Sequence, residues 1–256
     1  MKVVILAGGY GTRMSELTDV IPKPMVPIGG KPILWHIMNH YASFGHKDFV
    51  IALGYKSEVI KDYFYRLGSL ATDFTINLVD GTLSQHGKAN LDWRVTLVDT
   101  GEATLTGTRL KMLEPHLGSE RFMLTYGDGV SSVDIGELLD FHEATGALAT
   151  MTAVHPAARF GELTISETGL VSSFEEKPQL QQGWINGGFF VFEPEVFQHI
   201  PDQNCMLERE PLNSLTSADQ LAAYKHEGFW QCMDSKRDME HLQALWMTGT
   251  PPWVRT

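Results

Sequence analysis

Residues 1–14 read MKVVILAGGYGTRM. Within them KVVIL (2–6) is a short, β-branched apolar run that stops at Gly8-Gly9-Tyr10-Gly11. A run of that length closed by glycines predicts a buried strand. The next three segments decide the fold. In 33–44 the apolar Ile33, Leu34, Ile37, Met38 and Tyr41 recur at helical spacing, with Gly45 as a stop. DFVIAL (48–53) is a second buried strand, and KSEVIKDYFYRLG (56–68) a second helix ended by glycine. Strand, helix, strand, helix is the order of a parallel sheet covered by helices.

The alternation breaks at 74–98. FTINLV and RVTLVDT read as strands, with polar DGTLSQHGKANLDW between them, which predicts an exposed insertion over 81–93. Helical TGTRLKMLEPHL (106–117) then leads to the strand RFMLTY (121–126), ended by Gly127-Asp128-Gly129. A helix over VDIGELLDFHEATG and a strand over ALATMTAV come next. Beyond about residue 160 short strands with turns take over: GELTIS, GLVSSFEEKP and WINGGFFVF, then a short helix at EPEVFQHI. Helices at 208–217 and 236–247 surround the strands AAYKHEG and FWQCMD. The expected class is α/β: a Rossmann-like, mostly parallel mixed sheet flanked by helices, in one continuous domain with a small β insertion.

Composition narrows the partners. The 256 residues, 43% apolar, suffice for a sizeable core. The net charge of −11 disfavours nucleic acid and anionic membranes, whose phosphates need a basic face. It leaves room for small phosphorylated ligands gripped by a few local cations. Cys205 and Cys232 are far apart and form no C-x-x-C, so reduced thiols are expected. Neither a signal h-region nor a run long enough to span a membrane is present, so a cytoplasmic protein is expected.

Several groups carry chemistry. Gly8, Gly9 and Gly11 make either a tight strand-to-helix turn or a phosphate cradle, in which bare backbone N–H groups approach an anion. The dinucleotide fingerprint fails, because its third glycine falls on Met14. The G-x-x-x-x-G-K-[ST] loop fails too, because Gly30-Lys31 is followed by Pro32. A phosphate loop here would be of another kind, with its own cation, Arg13. Lys23 stands between Pro22 and Pro24. It is either a solvated loop lysine or, with its backbone held extended, a lysine that loses little entropy on gripping an anion. Asp128 and Asp234 each follow a buried apolar strand. They are turn residues, or acidic groups at the carboxyl edge of a sheet suited to Mg²⁺. Glu176, Lys177 and Asn186 belong to surface-like stretches, yet suit a sugar's hydroxyls and a phosphate. His36 and His40, at i and i+4, lack a third ligand and the glutamate of H-E-x-x-H.

Together these pieces resemble the sugar-1-phosphate nucleotidylyltransferases. LAGGYGTRM is similar to their loop L-A-G-G-x-G-T-R-L, Ile21 to Met25 to their lysine motif, and Gly127-Asp128-Gly129 to the place of a metal aspartate. PKPMVPIGGKPILWHIM, VDTGEATLTGTRL, TYGDGV, FEEKP, INGGFFVF and GFWQCMD resemble the cytidylyl branch. The resemblance implies in-line transfer of a cytidylyl group from CTP to α-D-glucose 1-phosphate, giving CDP-glucose and pyrophosphate. UTP, dTTP or GTP, mannose in place of glucose, a covalent intermediate on Lys23, and a non-catalytic regulatory relative are the alternatives. It further implies Mg²⁺ on Asp128 and Asp234, and catalytic roles for Arg13, Lys23 and Asp128. Nucleotide contacts are implied at Leu6, Ala7, Gly8, Gly9, Gly11, Thr12, Arg13, Lys23, Thr104 and Arg109. Contacts to the sugar phosphate are implied at Tyr126, Gly161, Glu176, Lys177, Asn186 and Gly187. Residues 1–155 would form the nucleotide half and 156–256 the sugar-phosphate half of a homo-oligomeric enzyme supplying surface-polysaccharide sugars. Thr108 and Pro27 depart from the pattern, and Thr108, beside Arg109, is expected to alter how closely the nucleotide approaches.

Overall fold

In the computed structural model, residues 1–11, 20–87, 91–156, 162–166, 168–175 and 183–255 are described. The first half runs β1 (Lys2–Leu6), β2 (Pro27–Ile28), β3 (Lys31–Pro32), α1 (Ile33–Ser43), β4 (Asp48–Leu53), α2 (Ser57–Ser69), β5 (Asp73–Ile76), β6 (Leu83–His86) and β7 (Arg94–Asp99). After these come α3 (Thr106–Met112), α4 (Glu114–Leu117), β8 (Phe122–Tyr126), β9 (Gly129–Ser131), α5 (Ile135–Thr145) and β10 (Ala149–Val154). The chain ends with β11 (Glu162–Ile165), β12 (Val171–Glu175), β13 (Ile185–Phe192), α6 (Glu210–Ser217), β14 (Leu221–His226), β15 (Trp230–Cys232) and α7 (Lys236–Met247).

Seven strands form the main sheet in the order β14-β10-β13-β8-β1-β4-β7. β13 runs antiparallel to both its neighbours, and the remaining pairs are parallel. The expected mostly parallel mixed sheet is therefore present. β1 alternates between two cores. Val3 and Ile5 face the layer containing Ile33, Leu34, Ile37, Met38 and Tyr41 of α1. Val4 and Leu6 face the opposite layer, with Leu110, Leu113 and Leu215. Both faces are dry, which explains why KVVIL shows no polar alternation. Each fully buried Val or Ile contributes about 1.5–3 kcal/mol relative to exposure.

The insertion differs from its sequence reading. The strand expected over 74–79 ends at Ile76 and pairs with β6, not with the main sheet. All residues of this β5–β6 hairpin are exposed, as are Leu78 and Val79 beyond it. Apolar residues alternate there without a layer beneath them. No helix among the described residues is long and apolar enough to cross a membrane.

The fold positions the site by one reversal. From β1 the chain moves outward to β4 and β7, then returns to place β8 on β1's other side. The crevice beyond the carboxyl ends of β1 and β8 is a topological switch point, where open α/β sheets bind ligands.

Candidate active site

Leu6 and Tyr126 end β1 and β8 in register, and the Gly127 N–H donates to the Leu6 carbonyl at 3.0 Å. The loop after β1 is held by its neighbour β4. The Ala7 N–H donates to the Ala52 carbonyl at 2.9 Å, and the Tyr55 N–H to the Gly8 carbonyl at 3.2 Å. From below, Arg109 of α3 fixes the same loop. Its buried guanidinium donates to the carbonyls of Leu53 (2.9 Å), Gly8 (3.0 Å) and Glu102 (3.1 Å) and to Thr100 Oγ1 (2.5 Å). A β-carbon at Gly8 would lie 2.3 Å from Arg109 Nη1, so only glycine admits this approach. The result is a cleft of about 330 Å³ bounded by residues 6–11, Lys23, Pro24, the 102–106 loop, Arg109, Tyr126, Asp128 and Met206.

Lys23 enters this cleft through a short turn. Its place between two prolines predicts extended backbone, and the structure corrects this. Pro22 is extended, but Lys23–Met25 forms one turn of 3₁₀ helix, closed by the Met25 N–H on the Pro22 carbonyl. Burial of Pro24 and Met25 outweighs the preference of a residue before proline for extended backbone. Gly127 accommodates the turn, since a β-carbon there would press on Pro24 Cγ at 3.1 Å.

Asp128 and Asp234 meet because β9 pairs antiparallel with β15, Gly129 opposite Cys232, and the Met233 N–H donates to the Asp128 carbonyl at 2.8 Å. The capping box of α7 then fixes the turn: Asp238 Oδ2 accepts from the N–H groups of Asp234 and Ser235, and Ser235 Oγ accepts from the Asp238 N–H. Between the two carboxylates sits the Lys23 ammonium, 2.7 Å from Asp128 Oδ2 and 2.6 Å from Asp234 Oδ1. Burial acts to lower the Lys23 pKa, but Asp128, Cys232 and Asp234 together outweigh it and raise it above the usual lysine value. Potential ligand atoms of Asp128, Asp234 and Cys232 lie within 4.8 Å of one another. Burial, then Asp128, pushes the Cys232 thiol up, which keeps it protonated at neutral pH.

A second network borders the cleft. The Tyr126 hydroxyl donates to Glu208 Oε1 (2.5 Å) and accepts from Asn186 Nδ2 (3.3 Å), while Thr106 Oγ1 donates to Glu208 Oε2 (2.6 Å). Burial, then Glu208, raises the Tyr126 pKa, so the phenol stays neutral.

The expected nucleotide residues Leu6, Ala7, Gly8, Gly9, Gly11, Lys23, Thr104 and Arg109 thus line one cleft, with Tyr126 and Asp128. Asp234 joins through Lys23, and Asn186 through Tyr126. Gly187 accepts from Trp230 Nε1 at 2.7 Å and backs the Asn186 turn. Thr12, Arg13, Gly161, Glu176 and Lys177 lie outside the described residues. Arg109 is engaged with loop carbonyls, a supporting role that its place in the sequence does not reveal. Thr108 faces away from the cleft: its Oγ1 accepts from the Cys205 N–H at 2.9 Å and fixes the 203–205 segment. His36 and His40 are core residues whose Nε2 atoms pair with the Ile28 and Val133 carbonyls. Two neighbours of the site escape sequence reasoning. Glu208 lies in the turn just before α6, a position the sequence reads only as the first residue of a helix over 208–217. Cys232 stands in FWQCMD, where the sequence shows a thiol but not its place beside two carboxylates.

The nucleotidyl transferase family model matches residues 2–246. A glucose-1-phosphate cytidylyltransferase of Salmonella typhi is 50% identical over 254 residues, covering 99% of this chain and 98% of that protein. A mannose-1-phosphate guanyltransferase of Saccharomyces cerevisiae is 30% identical over 97% of this chain and 65% of its own length. The crystal structure of HddC from Yersinia pseudotuberculosis superposes with a TM-score of 0.71 at 23% identity, covering 96% of this chain and 99% of that one, a likeness of fold. The cleft at the β1/β8 switch point and these likenesses agree: the chain belongs to the nucleotidyl transferase family.

Proposed function

We infer that this chain transfers a cytidylyl group from CTP to α-D-glucose 1-phosphate, releasing CDP-glucose and pyrophosphate. The observation carrying the reaction type is the meeting of Lys23, Asp128 and Asp234 beside the Gly8 loop. The choice of base and sugar rests on the whole-length likeness to the cytidylyltransferase.

A sugar phosphate is already ionised at neutral pH, so its attack on the α-phosphorus needs no general base. The barrier lies in joining two anions and stabilising charge on the transferring and leaving groups. In our reading the backbone of Leu6, Ala7, Gly8, Gly9 and Gly11 holds the base and phosphates, with Thr104 on the same wall. Arg109 keeps that backbone in place, and Lys23 binds at the α-phosphate. Thr12 and Arg13 enter from the motif alone, Arg13 on the leaving pyrophosphate. Tyr126, Asn186 and Gly187, with Gly161, Glu176 and Lys177 from the motifs, take the sugar phosphate. On this reading residues 1–155 serve the nucleotide and 156–256 the sugar phosphate.

Asp128 and Asp234 fit a divalent cation. They present carboxylate oxygens, the donors Mg²⁺ prefers, and already clasp one cation, the Lys23 ammonium. Bound there, Mg²⁺ would neutralise charge on the phosphates. We further propose a cytoplasmic homo-oligomer. The β5–β6 hairpin exposes Phe74, Ile76 and Leu83, and a cavity of about 800 Å³ lined by Trp35, Phe64 and Trp93 offers an apolar surface to a second copy. Pyrophosphate release assayed across CTP, UTP, dTTP and GTP with glucose and mannose 1-phosphates tests the activity. Turnover must be highest with CTP and glucose 1-phosphate. Preference for GTP and mannose 1-phosphate would overturn the specificity, and no release with any pair would overturn the reaction.

A further inference from the structure

We propose that the Lys23 ammonium and the divalent cation compete for the same carboxylate pair, so that metal loading and release of Lys23 toward the phosphates are one exchange. This rests on the reading that Asp128 and Asp234 hold the metal. The structure supplies the reason. A single oxygen from each carboxylate grips Nζ, at 2.7 and 2.6 Å, and the lysine is largely shielded from water. Mg²⁺ lies about 2.0–2.1 Å from its oxygens, demands an octahedral shell and keeps several waters. An ammonium held this closely fills the space that shell needs, and two adjacent cations repel. A nucleotide's phosphates change this, because they give the displaced ammonium a new anionic partner while adding oxygens for the metal. Without nucleotide, Lys23 keeps the carboxylates; with it, metal and lysine both gain partners. The exchange orders the site: the cation arrives with or after the triphosphate, and the free enzyme resists loading.

Mn²⁺ serves as the probe, because its electron paramagnetic signal reports binding without turnover. In the absence of nucleotide, Lys23→Met must bind Mn²⁺ at least tenfold tighter than the wild type. Lys23→Arg, which keeps a cation between the carboxylates, must stay as weak as the wild type. Lys23→Gln replaces Lys23→Met should the latter fail to fold. Adding Asp128→Asn to Lys23→Met must abolish the gain. Equal, readily measured affinity in wild type and Lys23→Met would overturn the exchange and leave the metal site standing. A gain that survives Asp128→Asn, or no binding in any variant, would overturn the exchange and the metal reading together.

Discussion

The Arg109 guanidinium lies beneath the glycine loop and donates to the Gly8 carbonyl at 3.0 Å. The same group satisfies Leu53, Thr100 and Glu102, so one side chain ties the β1 loop to the ends of β4 and β7. Lysine is not an equivalent, because its point charge lacks the planar fork that reaches several acceptors at once. Arg109→Lys should lose at least one of these charge-assisted hydrogen bonds, at a cost of about 1.5–3 kcal/mol. We expect a lower melting temperature and a kcat/KM reduced about tenfold or more. A variant with unchanged melting temperature and unchanged kcat/KM would show that the loop does not depend on this guanidinium.

Substitutions at Gly8 and Gly9 test loop support and the proposed nucleotide contact separately. A β-carbon at Gly8 meets Arg109, whereas at Gly9 nothing lies within 4 Å. Gly8→Ala should therefore destabilise the free enzyme, by about 1–3 kcal/mol for an overpacked site. Gly9→Ala should leave thermal stability within about 0.5 kcal/mol and weaken nucleotide binding, because the methyl group holds phosphate away from the backbone. Calorimetry of both variants, with and without CTP, reads the two effects separately. Equal stability losses would contradict the assignment.

In the proposed mechanism Lys23 supplies positive charge near the phosphates, and it need not titrate to do so. Its pKa is raised, so the ammonium persists through the neutral range, and any stability it contributes is lost only at strongly alkaline pH. Lys23→Ala should lower kcat/KM by about two to three powers of ten, the scale of losing one preorganised charge contact. A folded Lys23→Ala enzyme with wild-type turnover would remove Lys23 from the mechanism.

The fold is legible in the sequence where periodicity and burial agree. KVVIL, DFVIAL and FMLTY lie in the middle of one sheet, and their unbroken apolar runs report burial on both faces. FTINLV misleads because β-branched and aromatic residues fit a pleated surface whether or not a layer covers it. The site is legible in part for a different reason. Lys23, Asp128 and Asp234 each stand at a strand end or a proline turn, which single-chain reading can recognise. Their convergence depends on β9 pairing with β15, Gly129 opposite Cys232 and Ser131 opposite Trp230, strands far apart in the chain, which no local pattern encodes. Glu208 is invisible for the same reason: its partners, Thr106 and Tyr126, come from α3 and β8.

Glu208 positions Tyr126 and Thr106 through opposite oxygens of one carboxylate. Hydrogen bonds to a charged group contribute about 1.5–3 kcal/mol. Glu208→Ala should free the Tyr126 hydroxyl and raise the KM for glucose 1-phosphate about tenfold, with a smaller change in kcat. Glu208→Gln keeps an acceptor and should restore most of the affinity. Steady-state kinetics with the sugar phosphate as varied substrate decides this. Identical KM values in the alanine variant and the wild type would make the network structural only.

Stability should fall as pH drops through 6.5, on account of buried histidines. Burial, the foremost cause in each, lowers the pKa of His36, His40, His142 and His226. In the folded protein these rings stay neutral where the unfolded chain, with an ordinary value near 6.5, takes up protons. Below about pH 6.5 the unfolded state therefore binds more protons than the folded state. Each such histidine removes up to about 1.4 kcal/mol of stability per pH unit. Glu193 does not enter this window. Against the upward push of burial, Arg121 and His142 hold Glu193 below the usual carboxylate range, so its contribution is lost only at lower pH. Melting temperatures measured between pH 7.5 and 5.5 should decline mainly below 6.5. A flat profile across that interval would mean that the four rings accept protons in the folded protein as readily as in the unfolded chain.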